Sequence, residues 1–408
     1  MTLKNFKAVL FSLLAVVSLS LYTIGCADEP SSLGLNFLPP GETTGVRIFD
    51  SYIDTMPINS NNSRYYVNTS GSTNLLVGKS GSYESKALLK FTNISDAYDS
   101  ATVVSAKMYL YYRNYFFPNT ISDSLGQIGF DVYKLLDSYD FSTITNDSVS
   151  SGSIGNVSQG VFSGTPTADS QEVEISLNTS MVKDWLEYAA DTTRSAKNFG
   201  IILSPNGSAA SIKGFYSSNP NILSTSLYPK LEVIYTKNGN TDTFTTTSSS
   251  FISLSNAVIS TSPETFTLQA GVSYVQQMIF DLSHIPSTAT INDVQLFLTL
   301  DSLNSNFSNQ SNFTILGQFI NDSAGLKTDL FAFEGKQAGS QYYMMRLVNV
   351  GSPSPFARWL TGAANYGLLL FSGNQTINLD RYVFYKETAS DPNKRPRVII
   401  KYTPRVTP

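Results

Sequence analysis

Asn198-Phe199-Gly200-Ile201-Ile202-Leu203 recurs as Asn365-Tyr366-Gly367-Leu368-Leu369-Leu370. Each stretch is a polar turn with a glycine that runs into a short apolar strand. Working outward, the same neighbours surround both in the same order. Upstream lies a short helical pattern, Met181-Val182-Lys183-Asp184-Trp185-Leu186 in the first case and Phe356-Ala357-Arg358-Trp359-Leu360 in the second, so both tryptophans of the chain hold one place in the repeat. Downstream come Phe215-Tyr216 and Phe384-Tyr385. A proline and an alternating strand then close each copy, Pro229-Lys230-Leu231-Glu232-Val233-Ile234-Tyr235 and Pro396-Arg397-Val398-Ile399-Ile400-Lys401-Tyr402.

Farther upstream, Ala87-Leu88-Leu89-Lys90-Phe91 precedes Ala106-Lys107-Met108-Tyr109-Leu110-Tyr111. Gln277-Met278-Ile279-Phe280-Asp281 precedes Val294-Gln295-Leu296-Phe297-Leu298 in the same way. Phe91 to Ala106 is fifteen residues and Phe280 to Val294 is fourteen. Ordered landmarks at matched spacing predict a tandem repeat. Short strands separated by Ser, Thr, Asn and Gly predict an all-β chain. The expected architecture is two jelly-roll-like antiparallel β-sandwiches with short helical turns, over 46–236 and 240–404. Lys237-Asn238-Gly239-Asn240 reads as the linker.

Copy one carries more detail. Asp50 to Asp54 precedes the first strands, and Leu75-Leu76-Val77-Gly78 follows. Then come Ala87 to Phe91, Val104 to Tyr111, Trp185, Asn198 to Leu203, Phe215-Tyr216-Ser217-Ser218 and Pro229 to Val233. In these residues copy one resembles the DNRLRE-type domain of bacterial surface and secreted proteins. Copy two keeps the middle and end but has no clear Leu-x-Val-Gly element, and is degenerate. The resemblance implies a jelly-roll-like sandwich related to some carbohydrate-binding modules, among them alginate binders attached to polysaccharide lyases. The arginine common in that family's central strand is Lys90 here and Asp281 in copy two.

The N-terminus reads as an address. Lys4 and Lys7 give a positive start, and Ala8 to Tyr22 is an uncharged apolar core, too short to span a bilayer and suited to a signal peptide. Thr23-Ile24-Gly25-Cys26 resembles the lipobox of bacterial lipoproteins, with Thr23 in place of the usual leucine. Residues 1–25 are therefore expected to be a signal peptide and Cys26 the lipidated residue. Two or three acyl chains anchor a protein stably, at about 0.8 kcal/mol per buried methylene. Asp28-Glu29 sits where some lipoproteins carry a surface-export signal. Residues 26–45, rich in Pro, Gly and Ser, read as a tether. The expected location is the bacterial outer membrane, at the cell surface or on its periplasmic face.

Composition excludes several chemistries. The chain has one Cys and one His, so no disulfide forms within it and no Cys/His zinc site of ordinary ligand number is available. A net charge of −4 gives no footprint for nucleic acid. No Gly-x-Ser-x-Gly elbow, phosphate loop or shared carboxylate motif stands out, and no enzyme is expected. His284 reads as a turn residue. Trp185 and Trp359, each among apolar neighbours, read as core. Candidate ligand-stacking rings are Tyr65, Tyr66, Tyr115 and Phe116. Asp50 and Asp54 offer oxygen ligands for a structural calcium; no other cofactor is expected.

The function expected from these residues is a non-catalytic, membrane-anchored lipoprotein that binds polysaccharide or extracellular matrix. A structural, assembly or adhesion protein of the cell envelope, with envelope proteins as partners, is the first alternative. A polysaccharide-degrading enzyme with an unrecognised site is the second.

Overall fold

A computed structural model describes residues 45–54, 58–64, 67–257, 262–323, 333–339, 342–347 and 354–405. Among them run β1 (Arg47–Asp50), β2 (Ile58–Arg64), β3 (Asn74–Ser80), β4 (Tyr83–Lys90), β5 (Thr102–Phe117), β6 (Ile128–Lys134), β7 (Gly160–Gly164), β8 (Glu172–Ser176), β9 (Ile201–Pro205), β10 (Ile212–Tyr216) and β11 (Lys230–Lys237). There follow β12 (Asn240–Thr247), β13 (Ser250–Ala257), β14 (Thr265–Gln269), β15 (Tyr274–Phe280), β16 (Thr290–Thr299), β17 (Ile315–Phe319), β18 (Phe333–Gln337), β19 (Tyr342–Arg346), β20 (Leu368–Ser372), β21 (Arg381–Tyr385) and β22 (Arg397–Thr403).

The strands form two antiparallel sheets of eleven, each curled into a sandwich-like domain. The order in the first is β12-β11-β5-β10-β3-β4-β9-β6-β7, with β13 on β4 and β8 on β5. In the second it is β1-β22-β16-β19-β18-β17-β20-β15-β14-β21, with β2 on β15. Each encloses its own apolar core. In β4 the residues Ala87, Leu88 and Leu89 are all buried, because its inner face meets one core and its outer face lies under the 137–154 loop.

The repeat is visible in the hydrogen bonds. Asn198 Nδ2 donates to Phe91 O at 2.7 Å, and Asn365 Nδ2 donates to Phe280 O at 2.8 Å. Two residues on, Gly200 and Gly367 have φ of 102° and 80°. A Cβ there would stand 2.6 Å from Leu89 O and 2.2 Å from Met278 O, so only glycine fits. The main-chain N–H of Leu177 bonds Ala106 O, and that of Leu347 bonds Val294 O. These registers align Phe91 with Phe280. The counterpart of Lys90 is therefore Ile279 rather than Asp281.

The boundary between the copies differs from the expected linker. Asn238 and Gly239 have φ of 52° and 80°, and Lys237 pairs with Asn240. This is a two-residue hairpin turn, for which Asn-Gly is the preferred pair. It folds β12 back onto β11, so residues 240–257 complete the first sandwich. The second is completed by β1 and β2 from the other end of the chain. Phe244 faces Val233 in the first, and Phe49 faces Ile400 in the second. Likewise β13 lies along β4 and β2 along β15. Each copy thus gives its first two strands to the other copy's sandwich.

A third apolar cluster joins the sandwiches: Leu76, Tyr83, Tyr115, Phe117 and Ile212 from the first meet Val272 and Leu379 from the second. Polar contacts close its rim. Asn309 Oδ1 accepts from Phe116 N at 2.8 Å, and Asn309 Nδ2 donates to Asn114 O at 2.7 Å. Asp380, fully buried at this junction, accepts from the backbone N and Oγ of Ser308 at 2.8 and 2.9 Å; burial raises its pKa. Lys213 is also fully buried. It donates to Ser124 O and Pro166 O, and desolvation pushes its pKa down to about 8.

Candidate functional site

The turn after β1 is built on one carboxylate. Asp50 O accepts from the N–H groups of Ile53 and Asp54, both at 2.8 Å, and Asp50 N donates to Asp54 Oδ2 at 2.8 Å. The Asp50 side chain accepts from Tyr52 N and from Arg397 Nε, at 3.1 and 3.0 Å, and its second oxygen takes Arg397 Nη2. The guanidinium holds the Asp50 carboxyl below its ordinary value; burial opposes that shift, and the Tyr52 N–H adds to it. The turn projects Tyr52 onto the residues before β22. Its hydroxyl lies 3.0 Å from Asn393 O and 2.9 Å from Arg395 O, and Arg397 sits 5.0 Å from its ring centroid.

The result is an open cleft of about 340 Å³ on the outer face of the second sandwich. Its lining is Tyr52, Phe297, Thr299, Ala338, Tyr342, Asn393, Arg395 and Arg397. Tyr52 is 40% exposed and Tyr342 45% exposed. Arg395 donates Nε to Ala389 O at 2.7 Å, which fixes the plane of its guanidinium. Burial raises the pKa of the Tyr52 hydroxyl, and Arg397 pulls it the other way. Two flat rings beside an oriented guanidinium suit a ligand with a CH-rich or flat face and an anionic group. The lining contains no carboxylate; Asp50, in the turn beside it, is held by Arg397.

The residues expected from sequence fall elsewhere or only partly here. Cys26, Asp28, Glu29, Tyr65 and Tyr66 lie outside the described residues. Asp50 and Asp54 do come together, but the Asp50 carboxylate faces Arg397 and Asp54 caps the turn. Among the described residues no group of three or more His, Cys, Asp or Glu side chains is placed to hold a metal. Tyr115 is fully buried in the junction, where its hydroxyl accepts from Leu379 N at 3.1 Å, so its ring faces protein. Phe116 is half-buried beside it. His284 is exposed in a loop.

Trp185 is core, 1% exposed, while Trp359 is half-buried and lines open space. Tyr52, Tyr342 and Arg395 were missed by sequence reasoning. The only signal for them was the Asp50–Asp54 segment, which holds Tyr52. The first sandwich also has a cleft, of about 410 Å³, lined by Lys79, Glu84, Lys86 and Asn146 among others; no aromatic ring lines it, and Lys86 pairs with Glu84 at 3.1 Å. Among the described residues no helix is long and apolar enough to cross a membrane. In comparisons with known proteins, no protein family, curated protein or solved structure matches the chain.

Proposed function

We propose that the protein is a non-catalytic surface lipoprotein, anchored through Cys26, that binds polysaccharide or extracellular matrix. The observation that carries this reading is the Tyr52–Tyr342 cleft, where exposed rings and the fixed Arg395 guanidinium converge beside strands β16, β19 and β22. The Tyr52 ring, held by its hydroxyl's hydrogen bonds, loses little freedom on stacking, so its contact area converts into affinity efficiently. The resemblance of copy one to a domain with carbohydrate-binding relatives supports the same reading.

Affinity-gel retention of the chain on carboxylated and neutral polysaccharides tests the binding. Tyr342→Ala and Arg395→Gln are each expected to weaken retention about tenfold, as loss of a stacked ring or a charge-assisted hydrogen bond does. Retention of the arginine variant should also depend less on salt. Absence of retention on every polysaccharide overturns the reading. The anchor has its own test. Palmitate labelling in cells is expected for the wild type and not for Cys26→Ala, and equal labelling of both rules out Cys26 as the acylation site.

A structural or assembly role in the envelope is the second reading. It is favoured by the reciprocal strand exchange and the buried junction, which tie the two sandwiches together. Crosslinking in intact cells that yields a single abundant protein partner selects it.

A further inference from the structure

Trp185 and Trp359 hold the same place in the repeat, yet only one is closed over. The helix Thr179–Ala190 carries Trp185 and continues for a further turn past it. That helix buries Met181, Val182, Trp185 and Leu186. Its counterpart, Pro355–Leu360, stops one residue after Trp359, and the chain turns away at Gly362 with φ of 97°. The shortened helix leaves Trp359 standing between two depressions, of about 600 and 200 Å³. The ring is held in place from behind by Phe356 and Phe319, with centroids at 5.0 and 5.5 Å.

The larger depression is lined, along with the ring, by short polar groups: Asp281, Ser283, Ser287 and, from the exchanged strand β2, Asn59. Ser283 N donates to Asp281 Oδ1 at 2.9 Å, which fixes that carboxylate on the loop and holds its pKa below the ordinary value. No lysine or arginine lines this space. A supported indole in one depression with a carboxylate, hydroxyls and an amide matches one ligand chemistry. The CH face of a pyranose ring lies on the indole while adjacent hydroxyls reach Asp281 and Asn59. With a carboxylate and no cation in the lining, an anionic sugar is disfavoured.

We infer that the Trp359 depression is a second binding site, for a neutral pyranose unit of a glycan. It shares no lining residue with the Tyr52–Tyr342 cleft, so either site can fail without the other.

The chain contains two tryptophans, which makes the test direct. Tryptophan emission of the full chain is titrated with neutral oligosaccharides of glucose, mannose and galactose, with and without acrylamide as quencher. The expected result is a saturable emission change and protection from acrylamide. Both should vanish in Trp359→Phe and persist in Trp185→Phe. Asp281→Asn should weaken the apparent affinity about tenfold. If Trp185→Phe does not fold, the difference between wild type and Trp359→Phe carries the same information. Unchanged quenching with every neutral oligosaccharide overturns the site, as does a response that survives in Trp359→Phe. Protection by acidic oligosaccharides alone overturns the ligand class.

Discussion

Truncating Trp185 to alanine is expected to destabilise the first sandwich by about 3–5 kcal/mol, the range for a large buried aromatic. The side chain is 1% exposed and packs near Phe91, ring centroids 6.3 Å apart, within the main core. Removing it leaves a void bounded by a helix and a sheet, neither of which can collapse freely. The same change at Trp359 is expected to cost at least about 2 kcal/mol less, because that ring already touches solvent and a cavity there fills with water. Urea unfolding followed by hydrogen exchange, resolved by sandwich, checks the pair. Equal losses at the two positions would place Trp359 in the core and remove the basis for its role as a binding surface.

Arg397→Leu is expected to cost about 2–3 kcal/mol, concentrated on the clasp between β1 and β22. Asp50 is 6% exposed, and the substitution leaves its carboxylate buried without its cation. Loss of one partner of a fully buried pair costs about 3–5 kcal/mol; the value here is lower because the guanidinium reaches solvent. Amides of Phe49 and Asp50 should lose exchange protection before those of β5. A pH series gives a second readout. The folded-state pKa of Asp50 lies below that of the unfolded chain, so its contribution is fully present above the ordinary carboxylate value. It is lost as pH falls through the folded value. In Arg397→Leu that acid-side loss should be absent, and the double variant Asp50→Ala/Arg397→Leu should cost less than the sum of its parts.

The sandwich architecture was legible because it rests on local chemistry. Asn198-x-Gly200 and Asn365-x-Gly367 each need an amide to cap a neighbouring strand and a glycine for a positive φ, and short motifs of that kind survive divergence. The strand exchange was legible in part. Asn238-Gly239 is a hairpin signal, but taken as punctuation between domains it hides the return of β12 onto β11.

Tyr115 stood out because it lies in an aromatic run. Its burial depends on a partner sandwich that no local pattern announces. The candidate cleft was the least readable, since the Tyr52 hydroxyl meets an oxygen 343 positions along the chain. Periodicity does not show which distant segments will share a seam. Trp359 packs against its core as its apolar neighbours imply, but its outer side stays open because the Thr361-Gly362 stop shortens its helix.

The pairing of β1 with β22 also decides how the molecule carries load. Chain preceding Arg47 joins the body at the start of β1, beside Tyr402, while β22 is held along its whole length by β16, with Arg397 beside the far end of β1. A pull on the leading segment along the axis of β1 therefore strains the β1–β22 hydrogen bonds together, in shear, with the Asp50–Arg397 pair at the end remote from the pull. Opening them one at a time needs a force across that axis. Force applied along that axis thus enters the body through the second sandwich, at its β1–β22 seam.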